Sequence, residues 1–441
     1  MAVALPILTV LGAIGAMLAA MAFLARHARA AGWPAEVQRK LVHVGAGLFA
    51  LTLPLLFTED WPVYLLIGAT LAAMAAMRLP ALRHGGPGAL LHSIDRRSWG
   101  DYLLALAVLL VFVLSDRDPL LYTLPLAVLT LGDSAAALAG SGYGRRRFAT
   151  AEGHKTLEGS AILFMVTVIL TMVAALLLSD IPRENVVVLA FLVAGFGALV
   201  EADSWRGFDN LFLPLGIWIV LAYHGSAPAT ELLGIAALFA LALAGFFQIG
   251  TRLGAPPPVA RVYLIAAFLL ISSTALYNAV LPLAMLAAHL IAERRAPGTD
   301  RQPQLDAVAV LAVLGFGWLA AGNATGLNAI TFFGASMAGL IVALAAIALS
   351  PLSLGAASAP LSLVGALTAV AWLWLIGFNS PDQAWLSRPE LLIMATLMPA
   401  GFLPLRLARL FHRQRMLRLG LLTAVVPIVA YILLVLHGGP A

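Results

Sequence analysis

Runs of about 20 apolar residues recur along almost the whole chain, and this repetition limits its possible folds more than any other feature. A run of that length spans the hydrocarbon core of a bilayer as an α-helix. Charged residues make up only 11% of the chain, whereas a soluble domain carries about 25%. Such a chain cannot cover its surface with polar groups, so lipid must face much of it. We therefore expect an all-α fold, a polytopic integral membrane helical bundle with about 15–16 transmembrane helices.

The basic residues indicate how the chain lies in the membrane, because Lys and Arg are enriched in cytoplasmic loops. If the loop after the first run is cytoplasmic and the spans alternate, only Arg117, Arg183 and Arg388 of the 26 basic residues fall in outer loops. This arrangement predicts a multi-pass protein of the cell (inner) membrane whose N-terminus lies outside. The net charge of +5 arises in short loops between apolar runs, so nucleic acid is not an expected partner.

Composition divides the chain near its midpoint. Residues 251–260 include Ala-Pro-Pro-Pro and predict a rigid joint. Before the joint, at 1–250, the inner loops are rich in mixed charge, His and Gly, so we expect the chemistry in this membrane domain. Residues 261–441 are predicted to be an additional transmembrane module of unknown role. The run 261–292 is too long for one span and has Asn278 near its middle, which predicts a broken helix or two short ones.

The segment 132–160 holds the largest concentration of residues that can do chemistry. Asp133 lies inside an apolar run, where a carboxylate is energetically costly and usually functional. Gly142 and Gly144 can adopt positive φ and expose backbone N–H groups to an anion. Lys155 is one of only two lysines in a chain that otherwise uses Arg, which suggests a site that requires a compact point charge.

A helix is expected to start at Thr156 and to include Ser160. The N-terminus of a helix attracts phosphate through its free N–H groups and its dipole. The arginines at 145–147 add positive charge, although they could equally be a membrane anchor on the inner side. Because Mg²⁺ binds carboxylates together with phosphate oxygens, acids next to these cations predict a phosphate–Mg²⁺ site.

Two further segments on the same inner side supply other candidates. Glu201 ends one span and Asp209 opens the next, although Asp209 could simply be a helix N-cap. His43 lies just inside a span, one helical turn beyond Arg39 and three residues past Lys40. A lone histidine there could be a packing residue, but next to two cations it indicates an anion site.

In these three segments the sequence resembles the dolichol kinase and phytol kinase family of CTP-dependent polyprenol kinases, which is related to the phosphatidate cytidylyltransferases. The resemblance runs over residues 36–225. Its motifs, in chain order, are Arg39-Lys40-x-x-His43, then Gly132-Asp133-Ser134 with Lys155-Thr156-x-Glu158-Gly159-Ser160, then Glu201 with Asp209-Asn210-x-x-x-Pro214. One departure is Gly140-Ser141, where many members have Gly-Arg.

The resemblance implies an enzyme that transfers the γ-phosphoryl group of CTP to a long-chain isoprenoid alcohol of the phytol, dolichol or polyprenol type at the cytoplasmic membrane surface. Under this hypothesis Asp133 and Asp209 bind Mg²⁺. The candidate catalytic residues are Asp133, Glu158 and Glu201. The candidate nucleotide-binding residues are Arg39, Lys40, His43, Gly142, Gly144, Lys155, Thr156 and Ser160.

Two other functions remain open from the sequence. A cytidylyltransferase that makes a CDP-lipid from phosphatidate would use similar metal and nucleotide groups but would attack the α-phosphate of CTP. A transporter belongs to a different class, with the second half of the chain as its pathway. The second half has few charges within its apolar runs and no apparent inverted repeat, which disfavours transport.

Overall fold

A computed structural model of the chain describes residues 4–77, 99–150, 153–203, 205–252, 257–379 and 388–437. Within these ranges eight helices are long and apolar enough to cross a membrane, and five further apolar helices are shorter. The predicted class, an all-α polytopic membrane bundle, is confirmed, and the only strands among the described residues form one short hairpin. The number of crossings stays a prediction.

The chain divides into two compact units, Met1–Gln248 and Ile249–Ala441. Of the expected Pro-rich joint, residues 253–256 lie outside the described residues. The functional roles assigned to the two halves stay predictions.

The first unit is a bundle in which the helices after residue 99 enclose most of the buried side chains. Its helices are α1 (Ala4–Ala30), α2 (Ala35–Leu56), α3 (Trp61–Met77), α4 (Gly100–Ser115), α5 (Pro119–Ala127), α6 (Asp133–Tyr143), α7 (Leu157–Leu178), α8 (Arg183–Ala202), α9 (Asp209–His224) and α10 (Ala229–Arg252).

Helices α5 and α6 are joined by one turn of π-helix, Val128–Gly132, which we call the π-turn. The two helices together form one span. The span begins with Pro119 directly after Asp118, whose carboxylate accepts a hydrogen bond from the Leu121 N–H at 2.8 Å. This is the expected chemistry of a helix start, because an acidic cap satisfies a free N–H and proline presets the backbone angle.

The hairpin between α6 and α7 consists of β1 (Arg147–Thr150) and β2 (Gly153–Thr156), paired antiparallel. Thr156 is the N-cap of α7, so the helix start predicted there is confirmed. Helix α7 buries one narrow stripe of residues at every fourth position and exposes apolar side chains elsewhere, as expected of a helix that faces lipid. The stripe is Gly159, Leu163, Thr167, Thr171 and Ala175.

The second unit packs around a central helix, of which nearly every residue is buried. Its helices are α11 (Pro257–Ser273), α12 (Val280–Arg295), α13 (Pro303–Thr325), α14 (Ile330–Leu349), α15 (Leu354–Asn379), α16 (Pro389–Arg406) and α17 (Arg415–Leu436), and α14 is the central one. The break predicted in the run 261–292 is confirmed, because a short turn, Leu276–Ala279, separates α11 from α12. In that turn the Asn278 amide exchanges two hydrogen bonds with the Asn379 amide, at 3.0 and 2.7 Å.

Candidate functional site

Lys40 and Asp133 form a buried ion pair between α2 and the start of α6. The Lys40 Nζ lies 2.5 Å from the Asp133 Oδ2, and the two side chains are 4% and 6% exposed. The pair joins residues 93 positions apart in the chain. Because an isolated charge is costly in such surroundings, each side chain provides the counter-charge that the other needs. The structure thus brings together two predicted site residues from separate segments.

The backbone just before Asp133 is the π-turn Val128–Gly132. Here the N–H of Asp133 donates to the carbonyl of Val128, five residues back, instead of to that of Leu129 as in an α-helix. The released Leu129 oxygen lies 3.1 Å from His43 Nε2. Since a carbonyl can only accept, this ring nitrogen carries a proton. Single π-turns often mark functional sites, but the local sequence pattern did not predict this one.

Gly47 on α2 lies where that helix touches the π-turn. A Cβ added there would be 2.0 Å from Thr130 Oγ1, far inside the contact distance of any two atoms. A Cβ added at Gly45 would have no described atom within 4 Å. Gly47 therefore permits the close approach of α2 to the π-turn. It was not among the predicted site residues, although a small residue on a membrane helix can let another backbone approach closely.

A second ion pair joins Lys155 on β2 to Glu201 at the end of α8. The Lys155 Nζ lies 2.7 Å from Glu201 Oε1 and also donates to the Glu201 backbone carbonyl. The hairpin holds Lys155 opposite Phe148. Burial by itself lowers the pKa of Lys155, but the carboxylates of Glu201 and Asp209 outweigh burial and raise this pKa above its ordinary value. Lys155 is therefore a cation at neutral pH.

Asp209 is the first residue of α9 and lies near the same charges. Its Oδ1 atom is buried and has no hydrogen-bond partner within the described part of the chain. Asp209 is close enough to act electrostatically on Lys155, and both Asp209 and Asp133 act on Glu201. The alternative that Asp209 is an N-cap is wrong, because Phe208 occupies the cap position. Three acids and two lysines from α2, α6, β2, α8 and α9 thus converge.

Two of these acids suit a magnesium ion that shares its ligands with a nucleotide. Mg²⁺ is usually held by one or two carboxylates and by substrate phosphates, rather than by a cage of protein ligands. Among the described residues no three His, Asp or Glu side chains form a metal-binding group. Asp209 offers an unpartnered buried oxygen, and Asp133 is an acid held at the same site. Their assignment to Mg²⁺ stays a prediction.

The positive φ predicted for Gly142 and Gly144 is wrong. Gly142 lies within α6, and Gly144 has a φ of −67°. Gly144 is required for a different reason, because an added Cβ would lie 2.3 Å from the Gly140 carbonyl oxygen. The Gly144 N–H donates to that same oxygen at 3.1 Å, so it is already used within the protein. The binding of nucleotide by these two glycines stays a prediction.

The start of α7 also uses several of its own N–H groups. The Thr156 hydroxyl accepts a hydrogen bond from the N–H three residues later at 3.2 Å, and the Leu157 N–H donates to the Arg146 carbonyl at 2.9 Å. Both carboxylate oxygens of Glu158 accept from the Arg146 N–H at 3.2 Å, which ties Glu158 to the hairpin. The Ser160 hydroxyl oxygen is buried and has no partner among the described residues. The roles predicted for Thr156, Glu158 and Ser160 stay predictions.

One predicted residue, Arg39, lies at the surface, and one acid that was not predicted, Asp203, is buried. Arg39 is exposed, and its guanidinium binds Glu36 on the same helix, with the closest nitrogen and oxygen 2.6 Å apart. Asp203, directly after α8, is only 1% exposed and was not predicted as a site residue. The available signal was its position two residues after Glu201 in an acidic stretch at a span end.

Comparison with characterised proteins finds a relative named phytol kinase from Synechocystis sp.. It is 34% identical over 199 residues, which are 44% of this chain and 81% of the relative. No family model matches the chain. No solved structure matches it either.

Proposed function

Because the chain belongs to the family of phytol and polyprenol kinases, we propose that it is a membrane-embedded lipid alcohol kinase. The proposed reaction transfers the γ-phosphoryl group of CTP to the hydroxyl of a long-chain isoprenoid alcohol. The observation that carries the proposal is the 34% identity with a phytol kinase over 81% of that protein. CTP as the donor is supported by the motifs that this chain has in common with CTP-dependent kinases.

The two lysines are the groups that we assign to the phosphate oxygens. Phosphoryl transfer depends mainly on positioning and on neutralising charge, and Lys40 and Lys155 are compact point charges at the site. Each is bound to a carboxylate, so an incoming triphosphate would exchange with Asp133 at one lysine and with Glu201 at the other. Mg²⁺, held by Asp133 and Asp209, would supply further neutralisation of the transferred phosphoryl group.

The hydroxyl of the alcohol loses its proton in this reaction, and a carboxylate of the site can accept it. In the proposed step the alcohol oxygen attacks the γ-phosphorus, the bond from that phosphorus to the bridging oxygen of CDP breaks, and the hydroxyl proton passes to Glu201. We assign this role to Glu201 because its carboxylate lies among the site charges, next to Lys155. Glu158 is a weaker candidate, since both of its oxygens accept a backbone N–H of the hairpin.

The alcohol would reach the site from the bilayer. Helix α7 starts at the site and exposes apolar side chains along its length, including Met165, Ile169 and Val173. A prenyl tail can lie in lipid against such a surface while its hydroxyl sits at the level of the ion pairs. The skew of basic residues supports a site on the cytoplasmic side of the cell membrane.

Purified protein in lipid, given Mg²⁺ and CTP labelled at either the γ or the α phosphorus, tests the proposal. Phytol, geranylgeraniol and farnesol are the first acceptors. We expect the γ label to enter the lipid product and CDP to accumulate, and we expect Asp133→Asn to abolish both. Transfer of the α label to phosphatidate with release of pyrophosphate would assign the chain to cytidylyl transfer instead. Failure to label any alcohol from CTP, ATP or GTP would remove the kinase proposal.

A further inference from the structure

Three residues on one face of α2 contact Asp133 or the residues that lead into it. Lys40, His43 and Gly47 are spaced by three and four positions, which places them on the same side of the helix. Lys40 binds the Asp133 carboxylate, and His43 binds the Leu129 carbonyl. Gly47 lies against Thr130, which is itself only 1% exposed.

The π-turn frees the acceptor that His43 uses. In a regular α-helix the Leu129 carbonyl would accept the Asp133 N–H, and an imidazole from α2 would have to share that oxygen with it. The π-turn diverts that N–H to Val128, and the His43 N–H takes its place at 3.1 Å. With Nε2 donating to the backbone, that ring nitrogen is already used within the protein.

We infer that His43 is a positioning residue for Asp133, acting through the π-turn, and that it is not a phosphate ligand or an acid–base group. The hydrogen bond to Leu129 and the close contact of Gly47 with Thr130 hold the π-turn, and the π-turn sets the direction of the Asp133 carboxylate. His43 Nε2 lies 3.6 Å from Asp133 Oδ2, so it also limits where that oxygen can move. The inference rests on the proposed function for its kinetic test only.

Two substitutions of His43 separate positioning from chemistry. His43→Leu keeps much of the volume and removes the donor, whereas His43→Gln keeps an N–H that can reach a carbonyl but cannot titrate. A displaced catalytic group costs about 10²-fold in rate. We expect His43→Leu to lower kcat by about that factor with little change in KM for CTP. His43→Gln should recover most of the loss and keep the pH–rate profile of the unmodified protein.

A raised KM for CTP in both variants would identify His43 as a phosphate ligand and overturn the inference. A changed pH–rate profile with no recovery in His43→Gln would instead identify an acid–base group. Unchanged kcat in His43→Leu would remove any role in the reaction.

The substitution Gly47→Ala, with Gly45→Ala as its matched control, tests the contact between α2 and the π-turn at Thr130. The two sites lie on one helix, but only the Cβ at Gly47 meets Thr130. We expect Gly47→Ala to lower kcat and the melting temperature, and Gly45→Ala to change neither. Adding Thr130→Ala to Gly47→Ala removes the contacts at 2.0 and 2.5 Å and leaves one at 2.8 Å, so it should restore part of both. Equal behaviour of the two glycine variants would refute the contact.

Melting temperatures distinguish this inference from the proposed function. If the unmodified protein phosphorylates no alcohol, the proposed function fails, but the stability comparison still applies. The contact predicts that His43→Leu and Gly47→Ala each lower the melting temperature and that His43→Gln lowers it less. The double variant His43→Leu with Gly47→Ala should lose less than the sum of the two single losses. Additive losses would show that the two residues act independently and would overturn the inference.

Discussion

Replacing Lys40 with methionine tests the buried ion pair. Methionine has a similar length and flexibility but no charge, so Asp133 would lose its counter-charge at a site where its side chain is 6% exposed. Breaking a buried pair by removing one partner costs about 3–5 kcal/mol, and we expect a loss of that size in the free energy of unfolding. The Nε2 atom of His43 remains 3.6 Å from the Asp133 Oδ2, which favours the lower end of the range.

The neighbouring residue provides a matched control. Arg39 also pairs with an acid, but the two side chains are 47% and 38% exposed. Exposed pairs contribute about 0–1 kcal/mol, so Arg39→Met should lower stability by no more than that. The two variants differ by one position on the same helix, and the contrast between them isolates the effect of burial.

Unfolding of the protein in detergent, followed by the fluorescence of its 9 tryptophans, measures both changes. The double variant Lys40→Met with Asp133→Asn removes both charges, so it should be more stable than the sum of the single losses predicts, by about 0.5–3 kcal/mol. The variants Lys40→Met and Asp133→Asn and the double variant should all lack kinase activity. A loss below about 1 kcal/mol for Lys40→Met would mean that the pair behaves like a solvated one, and the buried site would be refuted.

Four other outcomes are expected. Asp209→Asn should abolish kinase activity while leaving the melting temperature nearly unchanged, because the buried Oδ1 has no hydrogen bond to lose within the described residues and the lost attraction to Lys155 is offset by the lost repulsion from Glu201; a large drop in melting temperature would indicate a structural role. Lys155→Arg should lower kcat, since a planar fork replaces a point charge. The raised pKa of Lys155 means that its pairing with Glu201 contributes stability fully below the ordinary value of 10.5 and loses it only as the pH rises through the higher folded-state pKa. Melting temperatures of the protein and of Glu201→Gln should therefore differ at pH 7 to 9 and converge at more alkaline pH. Single cysteines at His154 and Asp180 of this cysteine-free chain should lie on opposite sides of the membrane, so an impermeant reagent should label only Asp180→Cys in intact cells; labelling of His154→Cys would contradict a cytoplasmic site.

The amino-acid pattern was sufficient for the helical membrane fold, because the features that specify it are local. The length of an apolar run matches the bilayer core. In lipid every backbone N–H and C=O group needs a hydrogen-bond partner, and an α-helix supplies these partners from the same segment. Local chemistry also identified the start of α7 at Thr156 and the break around Asn278. The same reasoning selected Asp133, since a charge inside an apolar run is costly and therefore conspicuous. Lys155 was selected because it is one of only two lysines in the chain.

The way these residues combine depends on contacts between distant segments. Lys40 and Asp133 are 93 positions apart, and only the packing of α2 against α6 makes them partners. Whether a glycine serves a turn or a close contact is likewise set by its neighbours, which is why positive φ was wrongly predicted for Gly144 and why Gly47 was not recognised. The π-turn before Asp133 has the same origin. Its released carbonyl is stable in a buried site because a histidine from another helix supplies the missing hydrogen bond, and no local pattern of residues encodes that donor.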